Sequence, residues 1–216
     1  MLKKLLIAIA FSIAFAYIES AVVVYLRAIF HPNGFDFPLE AFGITPLARR
    51  LLLTEIGREA ATLVLILTAA WLFGRTRQGC VAYFLLIFAV WDIFYYVWLK
   101  VLLDWPASIM DWDILFLIPL VWASPVLYPV AVSVAMFALA VAILIREDKG
   151  APLAIRHVDW AGWAVATVIV IASFCLGGTH ITEADYARHF SPALFALGYA
   201  LGVATCIRAL TRKSIA

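Results

Sequence analysis

The sequence predicts an all-α integral membrane protein, a bundle of six transmembrane helices with a short re-entrant or interfacial segment before the fourth helix. The chain is 66% hydrophobic and only 14% charged. Several of its apolar runs approach the ~20 residues that span a bilayer. Outer-membrane barrels instead alternate apolar and polar residues in segments of about ten. Because the apolar runs here are unbroken, the sequence excludes a barrel.

The apolar runs and their capping signals give the helix positions. The first run follows Lys3 and Lys4 and is longer than the apolar region of a signal peptide, which favours a retained first helix over a cleaved leader. Thr45 and Pro46 form an N-cap and N1 pair for the second helix, and Asp159 is the expected N-cap of the fifth. We predict one transmembrane domain over 1–216, with spans at about 5–30, 46–73, 80–105, 124–145, 160–180 and 192–210.

The fourth span needs a separate explanation. The apolar stretch Ile114 to Ile145 is too long for one simple span, and it contains three prolines. We interpret Ile114 to Trp122 as the re-entrant or interfacial segment and expect the fourth helix to begin near Ser124.

The distribution of charge predicts the orientation. With the N-terminus inside, ten of the 16 basic residues fall in inner segments, namely Lys3, Lys4, Arg75, Arg77, Arg146, Lys149, Arg156, Arg208, Arg212 and Lys213. The outer loops are mainly acidic, through Asp36, Glu40, Asp111, Asp113, Glu183 and Asp185. Since cytoplasmic loops carry an excess of basic residues, we predict a multi-pass protein of the inner (cell) membrane with cytoplasmic N- and C-termini.

Ionisable side chains inside the predicted spans mark the candidate site. Each costs about 2.5 to 3.5 kcal/mol at a helix centre, so such residues are usually paired or functional. Helix direction and phase bring them to the outer halves of the first three helices, which predicts one outward-facing polar pocket. The candidate acid/base or proton sites are the carboxylates Asp92, Glu59, Glu55 and Glu19. The candidate binding residues are Arg58, Lys100, Arg27, Tyr95, Tyr96, Trp91 and Trp98.

Plainer interpretations exist for several of these residues. Arg58 can form local ion pairs with Glu55 and Glu59. Lys100 and Arg27 can extend to lipid head groups. The aromatic residues along the third helix are more typical of helix packing than of a wall for an isoprenoid or quinone ligand. Asp92 has no cation at i+3 or i+4, so we expect its partner on another helix or on a ligand.

The sequence supports no particular cofactor. The four histidines lie at or beyond helix ends, which argues against a membrane-embedded haem, and the motifs for nucleotide binding and zinc proteolysis are missing. Asp111 and Asp113 alone do not make a calcium site. A further group could be imagined to bind a metal at the outer surface, namely His180, Glu183, Asp185 and His189. Its spacing fits no common metal motif, so we interpret these four side chains as ordinary interfacial residues. The cofactor is therefore unknown, with haem, zinc and nucleotide unsupported.

Three functional hypotheses follow for a pocket that binds a small amphipathic or lipid-soluble molecule. As an acid/base enzyme, the protein would use Asp92 or Glu59 for proton transfer, while Arg58 and Lys100 hold an anionic head group. As a proton-linked transporter, it would need an exit through the nearly uncharged inner half. As a non-catalytic subunit, it would pair its polar faces with membrane-protein partners. The expected partners also include the lipid bilayer and a lipid-like ligand, and the net charge of +2 gives no nucleic-acid signal.

Overall fold

A computed structural model of the chain describes residues 2–32, 34–39 and 45–212, and in these residues six helices are long and apolar enough to cross a membrane. The helices are α1 (Leu2–Phe30), α2 (Pro46–Phe73), α3 (Arg77–Leu103), α4 (Leu127–Asp148), α5 (His157–Gly178) and α6 (Pro192–Thr211). The prediction of six apolar helices of membrane-spanning length is confirmed. Glu40 and Lys213, which the charge distribution included, lie outside the described residues.

The third helix is the centre of the fold, because α1, α2 and α4 all pack against it. The contact with α1 uses small side chains at every fourth position, which allow close approach of two helix backbones. These side chains are fully buried, and they are Ala8, Ser12, Ala16 and Ser20. The Ser20 hydroxyl also donates a hydrogen bond to the Tyr95 carbonyl of α3, at 3.1 Å.

The last two helices pack along each other and contact the rest of the bundle through α4 and the segment before it. The prediction that Asp159 is the N-cap of α5 is wrong. The helix begins at His157 after the N-cap Arg156, and Asp159 occupies N3, where its carboxylate accepts a hydrogen bond from the Arg156 amide at 2.8 Å. The same carboxylate pairs with Arg208 at 2.8 Å and with Arg212 at 2.7 Å, which ties α5 to the end of α6.

A β-hairpin occupies the segment that precedes α4. Its strands, β1 (Trp112–Phe116) and β2 (Trp122–Pro125), pair antiparallel with Asp113 opposite Ser124. The helix expected to begin near Ser124 begins at Leu127 instead. The sequence analysis did not predict the strands, because a short apolar run with prolines does not distinguish a strand from an interfacial helix.

The hairpin lies against the end of α5 because two glycines leave room for it. A Cβ atom at Gly177 would overlap the carbonyl oxygen of Ala123, and one at Gly178 would overlap that of Val121. We call this side of the bundle the hairpin end, where α1, α3 and α5 finish and α2 and α4 begin. The opposite side, with Asp159 and its arginine partners, is the basic end.

Candidate functional site

A cavity of about 430 Å³ lies at the hairpin end, between the second half of α1, the first half of α2, the second half of α3 and the hairpin. Nine of the eleven candidate residues line it, namely Glu19, Arg27, Glu55, Arg58, Glu59, Trp91, Asp92, Tyr95 and Tyr96. Apolar side chains from α1 and α2, including Val23 and Leu52, form much of the remaining wall. The structure therefore brings most of the candidate residues to one place.

The other two candidates lie outside the cavity lining. Lys100 is about half exposed and pairs with the exposed Asp104 at 2.7 Å. Its long side chain therefore lies at the surface of the protein. Trp98 packs against Tyr17 with ring centroids 5.3 Å apart and donates its indole N–H to the Ile13 carbonyl at 3.0 Å. Both Trp98 contacts join α3 to α1, so this residue has a packing role.

The guanidinium of Arg58 connects the first two helices. It donates through Nε to Glu55 at 2.9 Å within α2, and it forms an ion pair with Glu19 of α1. The Thr62 hydroxyl is 3.4 Å from the Glu19 carboxylate and completes this network. Local pairing thus explains Glu55, whereas Glu19 uses Arg58 as an interhelical partner. The described residues show no such pair between Arg58 and Glu59.

Arg27 is held in a different and more enclosed arrangement. Its guanidinium lies between the rings of Phe35 and Trp105, 3.9 and 3.8 Å from their centroids, a geometry that favours a cation. It also pairs with Asp113 of β1 at 3.1 Å, and only 9% of the Arg27 side chain and 2% of the Asp113 side chain are exposed. Tyr95 donates its hydroxyl to the same aspartate at 3.3 Å.

Asp113 is the main site residue that sequence reasoning missed. It lies directly before the predicted re-entrant or interfacial segment, but no local pattern indicates that its carboxylate meets Arg27. Burial raises the pKa of Asp113 above its ordinary value, while Arg27 and the hydrogen bonds that the carboxylate accepts oppose that rise. Its neighbour Asp111 caps a turn instead, accepting hydrogen bonds from the Ala107 and Ser108 amides at 2.7 and 3.1 Å.

Glu59 and Asp92 differ from the other carboxylates of the cavity because, within the described part of the chain, neither forms an ion pair with a cation. Glu59 accepts a hydrogen bond from the Leu117 amide of the hairpin turn at 2.9 Å. Asp92 accepts one from the Ser133 hydroxyl of α4 at 2.7 Å. The expectation that the partner of Asp92 lies on another helix agrees with this contact. The two groups are left available for a proton or for a ligand.

Trp91 contributes an aromatic ring to the cavity wall. Only 5% of the residue is exposed, and its indole N–H has no hydrogen-bond partner among the described residues. Its ring packs between Phe88 and Phe15, with centroids 5.4 and 6.5 Å away. Trp91 therefore contributes an aromatic surface to the cavity, while its indole nitrogen is enclosed by protein atoms.

The ionisable groups of the lining are predominantly acidic. Five carboxylates line the cavity, from Glu19, Glu55, Glu59, Asp92 and Asp113, against three arginines, Arg27, Arg49 and Arg58. Two of the arginines are already paired with carboxylates. The site can therefore hold protons or accept hydrogen bonds from a cationic group, and among the described residues only the exposed Arg49 is left to attract an anionic one.

Comparison with known proteins gives no relative from which a role could be transferred, since neither a protein-family model nor a curated protein nor a solved structure matches the chain.

Proposed function

We propose that the chain is an inner-membrane protein that binds a small amphipathic or lipid-soluble molecule in the cavity at the hairpin end. In this proposal both termini are cytoplasmic and the hairpin end faces outward, with the hairpin as the interfacial segment before α4. The basic residues at the opposite end support that orientation, because cytoplasmic boundaries are enriched in lysine and arginine.

The observation that carries the proposal is the combination of apolar walls with two carboxylates that lack a cation. The volume of about 430 Å³ is in the usual range for small-molecule pockets. Glu59 and Asp92 line it without a cationic partner in the described residues. A ligand with an apolar body and a protonated amine, or another strong donor, would satisfy both features.

This ligand differs from the one that the sequence alone suggested. An anionic head group was expected to bind Arg58 and Lys100. Arg58 is already engaged by Glu19 and Glu55, and Lys100 pairs with Asp104 outside the cavity lining. At Arg58 a ligand anion would therefore have to displace existing ion pairs, and Arg49, for which the described residues show no ion pair, is exposed. A ligand cation would instead meet carboxylate oxygens of Glu59 and Asp92 that line the cavity. We accordingly assign the cationic or donor end of the ligand to Glu59 and Asp92.

Access from the bilayer is consistent with a lipid-soluble ligand. α1 and α2 make few contacts with each other, and the cavity lies between their facing halves. Leu52 lines the cavity and is also exposed on the surface of α2. A molecule dissolved in the outer leaflet could therefore enter sideways between the two helices.

Acid/base catalysis on the bound molecule is the second candidate, because two carboxylates of one cavity can act as a general acid and a general base. The transporter alternative has less support. Toward the basic end, the helices pack through a buried apolar core that includes Ile66, Leu86 and Ile87. Nothing in the described residues connects the cavity to that end.

Three probes with the same chain length and different head groups test the proposal. Purified protein in lipid nanodiscs would be heated with dodecylamine, dodecanol or dodecanoate in the presence of EDTA. We expect dodecylamine to raise the melting temperature most and dodecanoate least. The difference between the amine and the carboxylate should disappear in a Glu59→Gln, Asp92→Asn double variant. Equal shifts with all three probes, or a preference that survives in the double variant, would contradict the proposal.

An Asp159→Asn variant supplies the matched control. Asp159 is a buried carboxylate in an ion-pair network, like those of the cavity, but it lies at the basic end. Its replacement should lower the melting temperature and leave the preference for the amine unchanged. This comparison separates loss of binding from general loss of stability.

A further inference from the structure

The loop between α5 and α6 gathers two imidazoles and two carboxylates. His180 Nδ1 is 2.8 Å from a Glu183 oxygen, while His189 Nε2 is 3.7 Å from the other Glu183 oxygen and 3.7 Å from Asp185. The two imidazole rings are nearly parallel, with centroids 3.6 Å apart and an angle of 15° between their planes. The 3₁₀ turn at Tyr186–Arg188 makes this possible, because it reverses the chain between Asp185 and His189.

The Nε2 atom of His189 is the member of this group that is buried and lacks a hydrogen-bond partner in the described part of the chain. The separations of 3.7 Å from Glu183 and Asp185 are too long for hydrogen bonds. They are close to the roughly 3.4 Å that separates two ligands of a tetrahedral ion with bonds of about 2.1 Å.

We propose that this loop binds a divalent transition-metal ion of the zinc class, with His180, Glu183 and His189 as ligands and Asp185 as the fourth. One ligand atom from each of the first three residues lies within 4.8 Å of the others, and rotation of the two stacked imidazole rings out of their parallel arrangement would direct both at one ion. Imidazole and carboxylate together suit zinc, copper or nickel better than the oxygen-preferring calcium and magnesium. This proposal replaces the interpretation of the four side chains as ordinary interfacial residues, which leaves the buried His189 nitrogen unexplained.

The position of the loop suggests what the ion does. Ile181 lies between the ligands in sequence, lines the cavity and accepts a hydrogen bond from the Leu39 amide at 2.8 Å. Leu39 and Ile181 pack in one buried cluster with Ala123 of the hairpin. A metal ion held by the residues around Ile181 would fix this cluster and so order the part of the cavity wall that Ile181 forms. Its role would be structural, because nothing places the ligands themselves in the cavity lining.

Metal binding can be measured without knowledge of the cavity ligand. Full-length protein in detergent would be stripped with EDTA, freed of chelator and titrated with Zn²⁺ by calorimetry. We expect about one ion per chain. The His180→Ala and His189→Ala variants should each weaken Zn²⁺ binding by at least about tenfold. His157→Ala is the control, because this exposed histidine lies at the basic end. The Zn²⁺ affinity of this variant should equal that of the unaltered chain.

A second readout does not depend on the folding of any variant. Co²⁺ added to the unaltered stripped protein should produce the visible absorption of a four-coordinate nitrogen and oxygen site, and Zn²⁺ should abolish it by displacement. Absence of saturable Zn²⁺ binding, or equal affinity in the double variant His180→Ala, His189→Ala, would overturn the proposal. The amine assay is run in EDTA and repeated with Zn²⁺ in its place, because the ion is proposed to order part of the cavity wall. A preference for dodecylamine in either condition supports the cavity proposal, and the Zn²⁺ titration tests the metal site alone.

Discussion

Glu59 of α2 accepts a hydrogen bond from the backbone amide of Leu117 in the hairpin turn, with 2.9 Å between nitrogen and oxygen. One carboxylate thus holds the hairpin against the second helix and also lines the cavity beneath it. The charge is not required for the first task, because a neutral amide oxygen can accept the same hydrogen bond. The two roles of Glu59 can therefore be separated by substitution.

We expect Glu59→Gln to leave the stability nearly unchanged and to reduce the preference for dodecylamine. Glu59→Ala should reduce both, because it leaves the half-buried Leu117 amide without its acceptor, at a cost of up to about 1 kcal/mol in the free energy of unfolding. Denaturation in mixed SDS micelles would measure the stability of both variants, and the nanodisc melting assay would measure the preference. If the glutamine and alanine variants behave alike in both assays, the separation of roles is wrong.

The Arg27 and Asp113 pair should be the most stabilising ionic contact at the hairpin end. Arg27→Met leaves Asp113 buried without its cation, and we expect a loss of about 3–5 kcal/mol in the free energy of unfolding. Adding Asp113→Asn should restore part of that loss, since it removes the unpaired charge. Lys100→Met is the control, because Lys100 pairs with an exposed partner at the surface, and it should leave the melting temperature unchanged. Equal effects of Arg27→Met and Lys100→Met would contradict the structural account of this pair.

The fit of the hairpin against α5 depends on the missing side chain at Gly178. A methyl group there would overlap the Val121 carbonyl oxygen, so Gly178→Ala should destabilise the protein by about 1–3 kcal/mol. Gly57→Ala in α2 is the matched control, because nothing lies within 4 Å of the added carbon. That substitution should be neutral or stabilising by up to about 1 kcal/mol, since alanine favours helix more than glycine does. SDS denaturation of the two variants checks the comparison.

Cysteine labelling tests the proposed orientation. In a background with the native cysteines changed to alanine, Ser108→Cys at the hairpin end should react with an impermeant maleimide on intact cells. Lys149→Cys at the basic end should react only after the membrane is permeabilised. Both positions are exposed, so accessibility on the protein itself does not limit either reaction. The reverse pattern would place the cavity on the cytoplasmic side. The native cysteines to be replaced are Cys80, Cys175 and Cys206.

The sequence predicted the helices better than the parts between them. Hydropathy and the Thr45 and Pro46 cap gave α2 its observed bounds, Pro46–Phe73, because those signals are local. Helical phase also placed Glu55, Arg58 and Glu59 on the face that lines the cavity. These successes rest on the fixed geometry of a helix, which relates sequence spacing directly to position.

The remaining features depend on tertiary contacts that no local pattern encodes. The hairpin forms through pairing between β1 and β2 and through its fit against Gly177 and Gly178. Asp113 enters the cavity only because that hairpin folds back over α3. Lys100 lies on a helix with Asp92 and Tyr96, but an exposed partner and a flexible side chain keep it at the surface.

Photo-crosslinking tests the central claim, binding of an amphipathic cation in this cavity, most directly. An alkylamine with a diazirine on its chain would be irradiated with the protein in nanodiscs, and the labelled peptides would be mapped by mass spectrometry. We expect labelling at the cavity walls, around Val23 and Leu52, with competition by excess dodecylamine but not by dodecanoate, and its loss in the Glu59→Gln, Asp92→Asn variant. Labelling confined to lipid-exposed positions such as Leu72 and Val168, or labelling unchanged in that variant, would contradict the account.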